Sequence, residues 1–564
     1  MDVVGTIGSL KEAVDAQKLA WKNAQGITSS SYDGLIESIN GFKTGACDAI
    51  ILDLKSEDAT NPDGIFIDII NRAIKNTKSV IDDKNGEYGY YTFSDTDITY
   101  FNGGIFSTGE GSFNKCSFLI AAYGVNIESC TSAEKMFYGC SILKRILFDG
   151  SLSAVTNASQ MFYNCSNLTS LTFPDGSLSA LTNASDMFAY CEKLTSLTFP
   201  DGSLSKVTNA YYMFAYCESL TSVTFPEGSL TALKGAYYMF YHCESLTSVT
   251  FPEGSLTALK GASSMFSNCS KLTSVTFPDG SLTALTNAQW MFASTNLASL
   301  TFPDGSLSAV TNAYYMFYNC SKLTEINGTI NLANATEIQY FANNSAIPEI
   351  KLAEMRDTIN WSIVKHASGH FYGDKYVKTF SHPETTSLTT AKEMFRASQM
   401  ETIDIDLSNL TGVASYIFYS SKILTSVTFH GGIGDVANVE RLFSDCTALT
   451  TITGLSFKSV TCISLNMFLN CTALTDCKYE GTLYMSGISL SPCTNLSAES
   501  LYSWVSALYD WKTNSEGKTT TSTSHVLTLS ESQIESLRSY TGDNGESGES
   551  AYLLALEKGW DITS

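Results

Sequence analysis

Basic residues are scarce in this chain: 34 Lys and Arg face 56 Asp and Glu among 564 residues, a formal net charge of −22. Phosphate backbones are held by clustered cations, so nucleic acid is excluded as a partner and an anionic membrane surface is disfavoured. Histidine is scarcer still, with six residues scattered from His242 to His525 and no repeated partnership with a Ser or Cys nucleophile. A phosphate-cradling Gly loop followed by Lys is missing, and so is a carboxylate pair spaced for glycoside hydrolysis. These absences argue against an enzyme and against any cofactor. No apolar run reaches the roughly 20 residues of a membrane span; the best candidates, 49–54 and 65–70, are of core-element length. Asp2, Lys11 and Glu12 interrupt the N-terminus before an apolar signal core forms, so the expectation is a chain made in the cytoplasm without its own secretion signal.

What is there is repetition. A Met-Phe pair recurs at Met136, Met161, Met187, Met213, Met239, Met265, Met291 and Met316, in steps of 25 or 26 residues. A fixed period of this size marks a solenoid. Within one unit, Leu168, Leu171 and Phe173 have the spacing of a short strand with its apolar residues turned inward, leaving Thr169, Ser170 and Thr172 to water. Pro-Asp-Gly or Pro-Glu-Gly follows at Pro174, Pro200, Pro226, Pro252, Pro278 and Pro303, where Pro presets one turn dihedral and Gly accepts a positive φ. The return segment, 178–191, carries apolar residues in steps of three and four, which predicts a short helix or 3₁₀ turn on the opposite wall. One unit alone has too few apolar residues to offset ordering its backbone at ~1–2 kcal/mol per residue, so only stacking makes it stable.

This pattern resembles the BspA-like leucine-rich repeat, in which Ala-Phe-x-x-Cys-x-x-Leu leads to a strand, a Pro and a return turn. Here Met stands before Phe, and degenerate copies continue at Phe341, Phe371, Phe395, Phe418, Phe443 and Phe468. The resemblance implies an α/β solenoid of about 14 coils, a rod on the order of 65 Å at the strand spacing, serving as an adhesive or recognition scaffold. The domains expected are a helical hairpin over 1–45, a small α/β cap over 46–129, the solenoid over 130–490 with an irregular stretch at 326–390, and an α/β cap over 491–564. In the first cap a Tyr-rich hairpin is expected from 88–93 and 98–101.

Nine of the 15 cysteines, among them Cys140, Cys165, Cys191 and Cys217, occupy one repeat position, which Thr295 and Ser421 fill in other coils. Small interchangeable side chains suggest a buried ladder of free thiols. With no Cys-x-x-Cys, zinc is not expected. The carboxylates Asp175, Asp201, Glu227, Glu253, Asp279 and Asp304, stacked at one turn position, read as turn residues accepting backbone N–H bonds, with calcium in that row as the alternative.

Because the repeats are copies, they can be compared with one another. Core positions scarcely change, while the two residues before Met-Phe and the two after it vary among Tyr, Ser, Asn, Gln and Trp. That is the composition of a recognition surface, and it singles out Tyr211, Tyr212, Tyr216, Tyr237, Tyr238, Tyr241, Trp290, Tyr314 and Tyr315 as candidate ligand-binding residues. They should form one partly exposed strip suited to a host polysaccharide, or to a protein receptor; alternatively they shield the return wall or make an assembly contact. The strand face repeats Ser and Thr almost unchanged.

Residues 12–24, with the Ser-rich link and short helix after them, resemble N-terminal segments of bacteriophage tail and fibre proteins. Residues 527–560 resemble the tail closing BspA-like proteins of gut Bacteroidota and their phages. These resemblances imply a virion component held to other virion proteins through residues 1–45, with homo-oligomerisation open. The alternative is a bacterial cell-surface adhesin.

Overall fold

The computed structural model describes residues 87–88, 100–106, 109–458, 466–484, 487–511, 525–542 and 545–564. The hairpin expected over 1–45 and the elements expected over 46–86 lie outside the described residues. The chain divides into two compact units, one of Met1–Leu285 with Ser294–Ser306 and Ile326–Gly328, the other of Thr286–Ala293 with Leu307–Glu325 and Thr329–Ser564.

Over its regular repeats the first unit is wound from parallel strands three residues long. Ser196–Thr198 pairs with Ser222–Thr224, and Ser248–Thr250 with Ser274–Thr276, each in register. The outer residues are exposed and the central Leu197, Val223, Val249 and Val275 are buried, as the Leu-x-x-Leu-x-Phe spacing predicts. Behind the strands, Phe173, Phe199, Phe225 and Phe251 stack with ring centroids 6.1, 6.0 and 5.9 Å apart. A second ladder, Phe137, Phe162, Phe188, Phe214 and Phe240, stacks at 5.5, 5.3, 5.5 and 5.3 Å, and the Met beside each ring is wholly buried. Each fully buried Phe or Met contributes about 1.5–3 kcal/mol, so the fold's stability resides in these columns.

The strands are short because Pro ends them. Gly202 and Gly228 take the positive φ expected, +75° and +76°. The turn closes through the Ser203 N–H to the Pro200 carbonyl, 3.2 Å, and not through the neighbouring carboxylate, which makes no hydrogen bond among the described residues. Two residues after Gly202, Leu204 is also left-handed, φ +59°, a cost of about 1–2 kcal/mol for a residue with a Cβ. Its complete burial offsets that cost.

The return wall corrects the helical expectation. In the coil of Met161, the N–H groups of Gln160, Phe162 and Asn164 reach forward to Ser185, Met187 and Ala189 carbonyls of the next coil, each at 2.8 Å. The alternate N–H groups of Met161, Tyr163 and Cys165 bond back three residues within their own coil. A 3₁₀ helix needs every N–H to point back. Instead, Gln160 and Asn164 are left-handed, φ +56° and +58°, and the wall is a stack of turns sharing its bonds between coils.

The Tyr-rich hairpin is not formed as expected either. Glu87–Tyr88 pairs parallel with Tyr100–Phe106, which pairs parallel with Ala121–Asn126. The coil ladder therefore runs ahead of residue 130, and Cys140 bonds to Phe113, a ring in the same column as Phe137.

In the second unit Thr379–His382, Thr402–Val413, Ser426–Asn438, Thr451–Leu455 and Asp476–Tyr479 form a five-stranded parallel sheet. No Pro interrupts the second and third of these, and they run 12 and 13 residues with register shifts between them. Helix α1, Glu349–Asp357, occupies the irregular stretch. Its Arg356 makes a part-buried ion pair with Asp374 and lies over the Phe371 ring, 5.0 Å from its centroid. Towards the C-terminus come α2, Ala498–Ser506, α3, Glu531–Arg538, and α4, Gly548–Glu557, capped by Ser497, Ser530 and Ser547. A parallel sheet of Ile488–Ser489, His525–Thr528 and Trp560–Thr563 accompanies them.

Candidate functional site

The bonding of the return wall fixes where the variable side chains stand. The residue just before each Met is held left-handed by its forward N–H bond: Tyr212 donates to the Tyr237 carbonyl at 2.9 Å and Tyr238 to Ser263 at 2.8 Å. Tyr212, Tyr238, Trp290 and Tyr315 have φ between +52° and +57°, and Tyr216, just before the Cys position, is left-handed too, φ +59°. Five of the nine candidates thus sit at left-handed positions that bulky residues seldom take. Sequence reasoning missed this, because nothing local announces it; the forward bonds of the stacked coils impose it.

In the first unit the rings build one packed surface. Tyr212 and Tyr238 stack with centroids 4.5 Å apart and planes within 5°. Tyr211 meets Tyr237 edge-on at 4.9 Å. Tyr216 stacks between Tyr190 at 4.6 Å and His242 at 5.0 Å, and Tyr241 packs edge-on against Tyr216 and Tyr238. Tyr211 and Tyr212 are 38 % and 37 % exposed, and the other four are half-buried. Burial, with neighbouring tyrosines adding to it, raises the pKa of Tyr212, Tyr237 and Tyr241 above the ordinary phenol value.

Two glycines make room for this surface. Five of the eight Met-Phe repeats carry Asn two residues before the variable pair, and its carboxamide accepts the N–H two residues on, as Asn209 does from Tyr211 at 3.0 Å. At Gly235 and Gly261 the Asn is gone, and the ring of the preceding coil lies where a side chain would be. A Cβ on Gly235 would fall 2.0 Å from Tyr211 Cε1, and one on Gly261 2.1 Å from Tyr237 Cζ. The substitution of Lys-Gly-Ala for Thr-Asn-Ala in those two coils was the visible signal.

The second unit holds the other three candidates. Trp290 and Tyr315 stack at 4.1 Å, Tyr315 stacks on Tyr340 at 4.9 Å, and Tyr314 meets Trp290 edge-on at 5.9 Å. The nine residues therefore form two aromatic clusters, one per unit. In the repeat between them in sequence, Ser263 and Ser264 take the ring positions, and both are buried.

The irregular stretch continues this wall with a different chemistry. Tyr340 lies over Gly369 and donates to Glu393 Oε2 at 3.1 Å. Glu393 also pairs with Arg396 at 3.0 Å, whose guanidinium lies 5.1–5.8 Å from the rings of Tyr372, Tyr416 and Tyr419. Beside this network is an open groove of about 720 Å³ lined by Tyr314, Glu337, Tyr340, Ser368, Lys392 and Val413, among others. Sequence reasoning named only Tyr314 of these. His370 stands at the repeat's Met position, its Nε2 shut off from water without a partner, and burial and Arg356 lower its pKa to about 4. Among the described residues no three His, Cys, Asp or Glu side chains gather as a metal site, and no helix is long and apolar enough to cross a membrane.

A stacked-coil solenoid with an invariant strand wall and a variable aromatic return wall defines a leucine-rich-repeat scaffold. The BspA type leucine rich repeat region family matches residues 71–159, 109–235, 183–316, 236–369 and 364–497, and the chain belongs to that family. Among solved structures, the chain is similar to a leucine-rich repeat protein from Bacteroides ovatus, with 18 % identity over 72 % of this chain and 93 % of that one, at a TM-score of 0.38. It is also similar to a leucine rich cell surface protein from Faecalibacterium prausnitzii, with 18 % identity over 72 % and 87 % of the two chains and a TM-score of 0.28. No curated protein matches.

Proposed function

We propose that this protein is a non-enzymatic, adhesin-like scaffold displayed on a bacterial cell surface, and that its return wall binds a glycan. The observation that carries the reading is the contrast between the walls: Ser and Thr repeat on the strand side, while Tyr, Trp, Gln and Asn vary on the return side and stack there into half-exposed clusters. Ring faces and edges take the C–H faces of sugars, amides and hydroxyls take their hydroxyl groups, and the stacked rings lose little rotamer freedom on binding. The virion role expected from residues 1–45 draws no support from the described residues or from the family, so the surface adhesin is the reading taken.

The full chain, applied to an array of surface polysaccharides and to the same glycoproteins before and after enzymatic deglycosylation, tests this. Binding that disappears on deglycosylation is expected. Binding that survives it replaces the glycan with a protein receptor.

A further inference from the structure

The groove of the second unit differs from the aromatic clusters in its charge and rigidity. Among its lining residues Ser368 is small, and it stands between Gln339 of the preceding coil and Lys392 of the next at the first position of the pair before Met-Phe. The short Ser368 side chain leaves a trough between those longer ones. One side is held by bonds within the protein: Gln339 Nε2 donates to Glu337 Oε2 at 3.0 Å, and Glu337 Oε1 lies 3.4 Å from His366, which meets Thr390 at 2.9 Å. Tyr340 is fixed from both ends, by Tyr315 at 4.9 Å and by its hydroxyl bond to Glu393. Val413, 44 % exposed at the end of its long strand, supplies an apolar lip.

Lys392 is the exception. It is exposed on the groove wall, and its ammonium makes no ion pair or hydrogen bond among the described residues, whereas the nearby Glu337 and Glu393 are both engaged. A lone cation in an acidic protein, set into a trough of rings, amides and hydroxyls, has the chemistry to receive one carboxylate. We propose that this groove binds a short acidic oligosaccharide, with Lys392 taking a sugar carboxylate, Tyr314 and Tyr340 giving ring surface, and Ser368 leaving room. The groove volume, about 720 Å³, suits a few sugar rings and not a folded partner. This inference rests on the glycan reading above and names its substrate class and site.

The test is calorimetric titration of the full chain with a hexuronic-acid oligosaccharide and with its carboxyl-reduced, neutral counterpart. The wild type is expected to bind the acidic form at least tenfold more tightly, less so at high salt. Lys392→Gln should remove that preference, and Ser368→Trp, which fills the trough, should abolish binding of both sugars; unchanged melting temperatures show that each variant is folded. Equal affinity of the wild type for both sugars overturns the acidic specificity. Wild-type-like binding by both folded variants overturns the groove while leaving a glycan site elsewhere. No binding of either sugar, with other polysaccharides still retained on the array, overturns the substrate class; no retention of any glycan overturns the wider reading as well.

Discussion

The Cys217 thiol donates to the Phe188 carbonyl of the preceding coil across 3.1 Å. That carbonyl already accepts the Cys191 N–H of its own coil, also at 3.1 Å, so the thiol fills its second lone pair. The same bond recurs at Cys165, Cys191, Cys243, Cys269, Cys320, Cys446 and Cys471, between 3.0 and 3.2 Å, and Ser421 Oγ makes it to Phe395 at 2.7 Å. The ladder position requires a small side chain with a donor, which is why Cys and Ser interchange there.

Cys217→Ser should therefore be tolerated, while Cys217→Ala loses the donor at about 0.5–1.5 kcal/mol and Cys217→Val overpacks the column at about 1–3 kcal/mol. Urea unfolding of the three variants checks the order.

Burial pushes the Cys269 and Cys471 thiols up to about 12 and Cys130 to about 11. At pH 8 the folded protein should react with a thiol reagent only slowly, because the thiolate is the nucleophile. After denaturation without reductant all 15 cysteines should titrate; a count far below that would mean disulfides.

Gly261 and Tyr237 should behave as one unit. Gly261→Asn alone drives a side chain into the Tyr237 ring and should cost about 1–3 kcal/mol. Combined with Tyr237→Ser, as in the coils that carry Asn, most of that loss should return. A double-mutant cycle with no coupling would contradict the pairing.

His370 makes stability depend on pH. Its folded pKa, about 4, lies below the unfolded value near 6.5, so the unfolded chain takes up the proton first as pH falls. The stabilisation is whole above pH 6.5 and lost between 6.5 and 4, by about 3 kcal/mol at most. His370→Met, which restores the repeat residue, should flatten this part of the stability profile relative to wild type. Nearby, Asp374→Asn should cost about 1–3 kcal/mol by removing the carboxylate from its part-buried ion pair with Arg356.

The coil was legible in the sequence because its core is periodic: Leu171, Phe173 and the Met-Phe pair fall on the buried columns, and Gly176 and its equivalents take the φ that the Pro-x-Gly turn demands. The return wall was not. Steps of three and four suit a helix, and only the forward bonds from Gln160, Phe162 and Asn164 to another coil, a contact 25 residues distant, turn that spacing into stacked turns. The clusters were half-legible. Variation marked Tyr212 and Tyr238, but Tyr340, Ser368 and Lys392 sit in coils whose Met is replaced by Phe341 or His370 or whose turn has lost its Pro, so the repeat comparison passed over them.

The central claim is that the two walls differ in role, and a paired comparison of wall variants tests it most directly. One variant carries Tyr212→Ser, Tyr238→Ser and Tyr315→Ser; the other carries Thr198→Asn, Thr224→Asn and Thr250→Asn on the exposed strand face. Affinity for the glycan retained on the array is measured for both beside the wild type, with melting temperatures recorded. A loss of tenfold or more in the folded tyrosine variant, with the strand-face variant binding as wild type does, is the predicted result. Undiminished binding by a folded tyrosine variant, or an equal loss in both, would contradict it.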